Sequence, residues 1–194
     1  MIRIIILVLV HIILAQTPER QYVIEEDFYQ GFKAREFSIY DRTGKNLQYR
    51  LESYISFGQS IELVAYPSKK AVGKAYSSKK GAVYQGTLKI RNLNTKKWLK
   101  GTIVQHYQIL GQHWTISWND TRLSMDTEPA SLTTSFYDGN QSDHTCLAKF
   151  HMRVQSLIWV NQYDMHIYSN IIPDSIYLLS LAIRDYANQL RRVG

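Results

Sequence analysis

Apolar and polar positions alternate along most of this chain, which is the period of extended backbone, where successive side chains point to opposite faces. In AREFSIYDRTGKNLQYRLESYISF, Phe37 and Ile39 share one face, as do Leu47, Tyr49 and Leu51, and Asp41-Arg42-Thr43-Gly44 supplies the turn between them. That segment predicts a hairpin. A second is predicted in SIELVAYPSKKAVGKAYSS, with Ile61, Leu63 and Ala65 on the apolar face and Pro67-Ser68 opening the turn, and a third in AVYQGTLKIRNLNTKKWLKGTIVQHYQIL around Asn92-Leu93-Asn94. HWTISW, TRLSM, LTTSFYD, TCLAKFHM and YDMHIYS continue the series, with turn residues between nearly all of them. Residues 16–31 read as a polar lead, and no exact repeat or low-complexity tract interrupts the strand-like runs beyond it.

At the carboxy end the period changes. From Ile176 to Ile183 only Ser180 interrupts apolar or aromatic residues, so Tyr177, Leu178, Leu179, Leu181, Ala182 and Ile183 point in almost every direction around a helix. Pro173 has its angle preset for a first helical turn, Asp174 or Ser175 is placed to cap free amides, and Arg191 and Arg192 sit at the favourable end of the dipole, which predicts a helix over about 174–190. A membrane-spanning helix needs roughly 20 apolar residues, and Arg184 and Asp185 end this run far short of that. The helix is therefore expected inside protein. A series of about eleven short strands and one helix apolar all round predict a mainly β fold: a closed antiparallel barrel of roughly twelve strands enclosing its carboxy-terminal helix, since the bore widens with strand number. A helix packed in a cleft between two sheets is the other arrangement that buries it.

At 194 residues the chain is long enough for one domain with a real core, placed at residues 32–194. The beginning, MIRIIILVLVHIILAQTPER, has an early cation at Arg3, an apolar run from Ile4 to Leu14 and a small residue at Ala15, the layout of a secretory signal peptide over residues 1–15. His11 within the run and Ile13 before the cut depart from the ideal form. This predicts a secreted, extracellular protein. A single cysteine, Cys146, excludes an internal disulfide, and its place beside Leu147 in a strand-like stretch reads as a small buried apolar residue. Asn119-Asp120-Thr121 and Asn140-Gln141-Ser142 are acceptor patterns for glycosylation at Asn119 and Asn140.

Charge is unevenly placed. The formal net charge is +7, and no acidic residue occurs from Leu63 to Asn119, a window that holds Lys69, Lys70, Lys74, Lys79, Lys80, Lys89, Arg91, Lys96, Lys97 and Lys100. Lysine pairs at the turns in PSKK, SSKK and NTKK are expected to rise toward one end of the sheet, where their fields add into a patch for an anionic partner. Phosphorylated lipid head groups and sulfated glycans suit an extracellular protein. Nucleic acid fits least, because Tyr76, Tyr84, Trp98 and Tyr107 read as sheet surface or core before they read as stacking platforms. Lysines at turns and edges also keep sheets soluble and unpaired, which alone accounts for such a pattern.

Catalytic signatures are missing from the sequence. His106, His113, His144, His151 and His166 lack the paired spacing of a zinc site, no glycine-rich phosphate loop follows a strand, and Asp126 with Glu128 reads as a solvated turn. No enzyme activity, metal or cofactor is expected, and a bore filled by a helix leaves little room for substrate.

The segment FSIYDRTGKNLQYRLES resembles the strand, Asp-x-x-Gly turn and strand of the tubby-like carboxy-terminal superfamily, which includes LURP-one-related proteins and phospholipid scramblases; Asp41 and Gly44 carry the turn. The resemblance continues in IELVAYPSKKAVGKA, in LAKF and in YDMHIYSNIIPDSIYLLSLAIRDYAN, and covers most of the chain from about Phe32 to Leu190. It implies a twelve-stranded barrel threaded by its last helix. It does not imply a scramblase, because the acidic calcium-binding stretch before the last helix is represented only by Asp164 and Asp174 and the cysteine cluster is absent. Tubby proteins hold phosphoinositide heads with closely spaced Lys and Arg, and Lys89-Ile90-Arg91 has a comparable spacing. Together these readings predict a secreted, non-enzymatic, tubby-like barrel that binds anionic lipid head groups or sulfated glycans through a lysine-rich outer face. The alternatives are a lipocalin-like carrier of a small apolar ligand, against which the missing Gly-x-Trp and disulfide argue, and an interaction domain without ligand.

Overall fold

The computed structural model describes residues 17–193 apart from 28–34, 57, 82, 93, 94, 140–144, 158 and 159. The expected signal peptide, Asn140 and His144 lie outside the described residues. Twelve strands run in chain order: β1 Arg20–Glu26, β2 Phe37–Asp41, β3 Leu47–Ser56, β4 Gly58–Ala65, β5 Lys70–Lys80 and β6 Val83–Arg91. They continue as β7 Trp98–His106, β8 Gln112–Trp118, β9 Thr121–Thr127, β10 Thr133–Asp138, β11 Cys146–Met152 and β12 Gln162–Ile167, followed by the helix α1, Asp174–Val193. Each strand pairs antiparallel with its sequence neighbour, and β1 pairs with β12, so the sheet closes on itself and leaves no unpaired edge. The barrel is the architecture the alternation predicts.

The first strand corrects the polar lead. Residues 20–26 are barrel wall, with Ile24 opposite Tyr163 on β12 and opposite Ile39 on β2. Its interior phase carries Arg20, Tyr22, Ile24 and Glu26, of which only Ile24 is fully buried and apolar, so the alternation that marks the other strands is diluted. Arg20 and Glu26 reach the two open ends, where charge can be solvated or paired.

The helix fills the bore. Ile176, Tyr177, Leu178, Leu179, Leu181, Ala182 and Ile183 are all buried, each large side chain contributing about 1.5–3 kcal/mol by leaving water. Tyr177 meets Phe136 of β10 edge-on, with ring centroids 4.9 Å apart, and a Cβ on Gly73 of β5 would lie 2.9 Å from Leu179 Cδ1. Gln59 of β4 donates to the Ala182 carbonyl at 3.2 Å. Burial continues past the apolar run: Ser180, Arg184 and Asp185 also lie inside, and Asp185 Oδ1 accepts from the Tyr163 hydroxyl at 2.6 Å. The buried Tyr163 phenol is held well above its usual range by desolvation first and the Asp185 carboxylate second. Asp174 does more than the capping expected of it. Its carboxylate accepts from Arg20 Nε at 2.9 Å and from the Tyr22 hydroxyl at 2.6 Å, tying the start of α1 to β1.

The barrel thus has two distinguishable ends. The near mouth surrounds the start of α1, and the far mouth surrounds its later turns, where Arg35 reaches Asp185 at 3.4 Å.

Candidate functional site

The acid-free window occupies β5 to β8 with the turns around them, four consecutive strands of the closed sheet. Its cations therefore share one contiguous wall. Strand phase turns Ala75, Leu88, Ile90 and Gly101 inward, which leaves Lys74, Lys89 and Lys100 outward, and the register aligns Lys74 with Lys89 and Lys89 with Lys100. The row continues to Glu62 of β4, opposite Lys74, and the two form an ion pair. That hydrogen bond to Glu62 raises the Lys74 ammonium above its ordinary range. None of the other nine cations of the wall has an ion-pair partner among the described residues. Tyr76 and Trp98 stand among them, with Lys89 Nζ 5.7 Å from the Tyr76 ring centroid and Lys74 Nζ 5.6 Å from that of Trp98. Tyr84, grouped with these aromatics in the sequence, is buried in the core.

The turns do not gather at one end as expected. A hairpin reverses chain direction, so consecutive turns of an antiparallel sheet fall at opposite ends. Lys69, Lys70, Lys96 and Lys97, from the β4–β5 and β6–β7 turns, stand at the near mouth, and Lys79 and Lys80, from the β5–β6 turn, stand at the far mouth. The lysine-rich face is a wall running from mouth to mouth.

At the near mouth this wall borders a cleft of about 660 Å³. Tyr49, Val72, Ile90, Leu99 and Trp118 give it apolar sides, Lys70, Arg91 and Lys96 border it, and Pro173 and Ser175 at the start of α1 contribute to its lining. A β-bulge helps to build it: the register passes from Leu63 opposite Gly73 to Val64 opposite Ala71, leaving Val72 as the extra residue. Past the bulge, Lys70 lies opposite Ala65 on the interior phase of the sheet. Lys96 adopts a left-handed φ of 57° at the opposing turn. The indole N–H of Trp118 is buried without a hydrogen-bond partner among the described residues.

The far mouth differs in kind. In the β7–β8 connection Tyr107 is 73% exposed, Ile109 88% and Leu110 71%, an unusual display of large apolar side chains in one tip. The β5–β6 turn with Lys79 and Lys80 is the next turn along at this end.

The remaining candidates are scattered. Asn119 is exposed in the β8–β9 turn, where it and Asp120 take φ of 46° and 63°, the twist of a two-residue hairpin turn. Cys146 is half-buried, and burial pushes its thiol up, away from the reactive thiolate. The His106 ring lies 5.0 Å from that of His113, tilted by 38°, His113 contacts Asp126, and desolvation followed by the His113 and Arg122 charges lowers the His106 imidazole. His151 bonds Thr133 at 2.9 Å on another side of the barrel. Among the described residues no three His, Cys, Asp or Glu side chains are grouped to hold a metal, and no helix is long and apolar enough to cross a membrane.

The cleft's apolar residues are absent from the sequence candidates. Leu99 and Trp118 sit at strand ends on the interior phase beside exposed turns, a signal available in principle, whereas the bulge at Val72 leaves no mark in the residue pattern. Comparison of the chain with protein-family models and with curated protein sequences gives no match in either.

Proposed function

We propose that this chain is a secreted, non-enzymatic, tubby-like barrel that associates with anionic lipid surfaces through the wall of β5 to β8. The observation that carries the reading is a stretch of four adjacent strands without a carboxylate, in which β5, β6, β7 and the turns beside them hold ten cations, since such a wall attracts an anionic surface as a unit. Lipid is favoured over sulfated glycan by the far mouth, where exposed Tyr107, Ile109 and Leu110 adjoin the turn of Lys79 and Lys80. Apolar tips beside lysines suit the boundary between acyl chains and head groups, and a glycan offers them nothing to enter. The filled bore speaks against the lipocalin-like carrier, because α1 occupies the space where that ligand would sit.

The test is sedimentation with vesicles of phosphatidylcholine alone and of phosphatidylcholine with phosphatidylserine, at rising salt, beside retention on heparin. Binding confined to the anionic vesicles and lost with salt is expected. With each surface lysine contributing about 1 kcal/mol, the K79Q/K80Q protein should bind roughly tenfold to thirtyfold more weakly. Retention on heparin without vesicle binding would transfer the reading to sulfated glycans, and failure in both assays would end it. Sequencing the amino terminus of protein recovered from culture medium tests the compartment: a mature start at Gln16 is expected.

A further inference from the structure

The near-mouth cleft combines apolar sides with a cationic border, and the nearby carboxylate at the start of α1, Asp174, is already engaged by Arg20 and Tyr22. We propose that this cleft binds a single-chain amphiphile: one alkyl chain carrying one anionic head group, whether carboxylate, sulfate or phosphate. The head group meets Lys70, Arg91 and Lys96, which come from β5, β6 and the β6–β7 turn. Arg91 supplies the planar two-pronged donor that suits an oxyanion, and the lysines supply charge that adjusts to its position. The chain lies against Val72, Ile90, Leu99 and Trp118, and the buried, unpartnered indole N–H of Trp118 belongs to the same lining.

The size fits this class. A volume of about 660 Å³ is typical of small-ligand sites, which span roughly 300–1,000 Å³. Depth is limited, because α1 fills the bore and Pro173 and Ser175 form part of the lining. The alkyl chain therefore runs across the strand ends and cannot thread the barrel, so affinity should rise with chain length and then level off once the apolar lining is covered. Until that point each added methylene contributes about 0.8 kcal/mol, close to fourfold in affinity.

The cleft rests on the same premise as the proposed membrane association, that these cations meet an anion, and draws Lys70, Arg91 and Lys96 from the same wall, but it lies at the opposite mouth from Tyr107, Ile109, Leu110 and the turn of Lys79 and Lys80. Calorimetric titration with decyl phosphate below its micelle concentration is the direct test, with octyl and dodecyl phosphate, decyl glucoside and inorganic phosphate as companions. Saturable binding of one decyl phosphate per chain is expected, with decyl glucoside and inorganic phosphate each at least tenfold weaker. K70Q/R91Q/K96Q should lower the affinity for decyl phosphate at least tenfold and leave decyl glucoside unchanged; L99W, checked for folding by circular dichroism, should weaken both. If L99W does not fold, W118F replaces it, and its tail-length dependence should flatten.

Non-saturating uptake of decyl phosphate, equal binding of the phosphate and the glucoside, or full affinity in a folded cleft variant would overturn the assignment. K79Q/K80Q separates the two proposals, because it should weaken vesicle binding and spare decyl phosphate, whereas K70Q/R91Q/K96Q removes cations common to both. Vesicle binding by a chain that takes up no decyl phosphate would end the cleft assignment alone, and uptake of decyl phosphate without vesicle binding would end the membrane reading alone.

Discussion

Asp41 shows how much one exposed side chain can organise. Its Oδ1 accepts from the Thr43 amide at 3.0 Å and the Thr43 hydroxyl at 2.6 Å, its Oδ2 accepts from the Asn46 amide group at 2.5 Å, and Gly44 has a left-handed φ of 70°. Hydrogen bonds from Thr43, then from Asn46, hold the carboxyl well below the usual carboxylate range. A folded-state pKa that is depressed stabilises the protein above the unfolded value of about 4, and that contribution is lost as pH falls toward the folded value. Asp41→Ala should therefore lower Tm at pH 7, and the gap to the parent should narrow as pH falls from about 5 to about 2. A gap independent of pH would mean that the side chain supports the turn without its charge, and no gap at all would mean that the turn is held by backbone geometry alone.

Among the elements, α1 has the most to lose from a single truncation, because its surroundings cannot collapse onto it. The sheet around it is closed by pairing between β1 and β12, so a cavity opened at Leu179 persists. Leu179→Ala should cost about 2–5 kcal/mol by chemical denaturation, at the upper part of that range if Gly73 and the neighbouring β5 backbone stay in place. A loss under 1 kcal/mol would indicate a loosely packed helix. The element scale is also where the sequence is most readable. Phe37 with Ile39, Ile61 with Leu63 and the all-round burial of Ile176 to Ile183 are direct consequences of periodicity, because in a filled barrel the inward phase must be apolar. Legibility fails at β1, whose inward phase begins at Arg20 and ends at Glu26. It fails again at the lysine turns, where residue type marks each turn but chain reversal decides which mouth the turn reaches. The cleft is the least readable feature, since residues as far apart as Tyr49 and Ser175 meet there and a bulge sets the phase of one side.

For the molecule as a whole, the wall of β5 to β8 sets charge repulsion against the proposed binding of an anionic surface. Lys74, Lys89 and Lys100 stand in one cross-strand row, and like charges placed opposite one another destabilise a sheet. Glu62 relieves the row at Lys74 only, which leaves Lys89 between two cations. Lys89→Glu would convert two repulsive neighbours into attractive ones and should raise stability by roughly 0.2–1 kcal/mol per pair at low salt, with the gain shrinking as ionic strength rises. If the wall serves only solubility, the substitution should improve stability without affecting vesicle association. If the wall is a binding surface, the stabilised variant should bind anionic vesicles more weakly than the parent. Measuring denaturation and vesicle sedimentation on the same preparation makes these outcomes separable: a more stable protein with undiminished vesicle binding would remove the basic wall from the binding surface, and a more stable protein with weakened binding would show that the row is kept for its contact with an anionic surface.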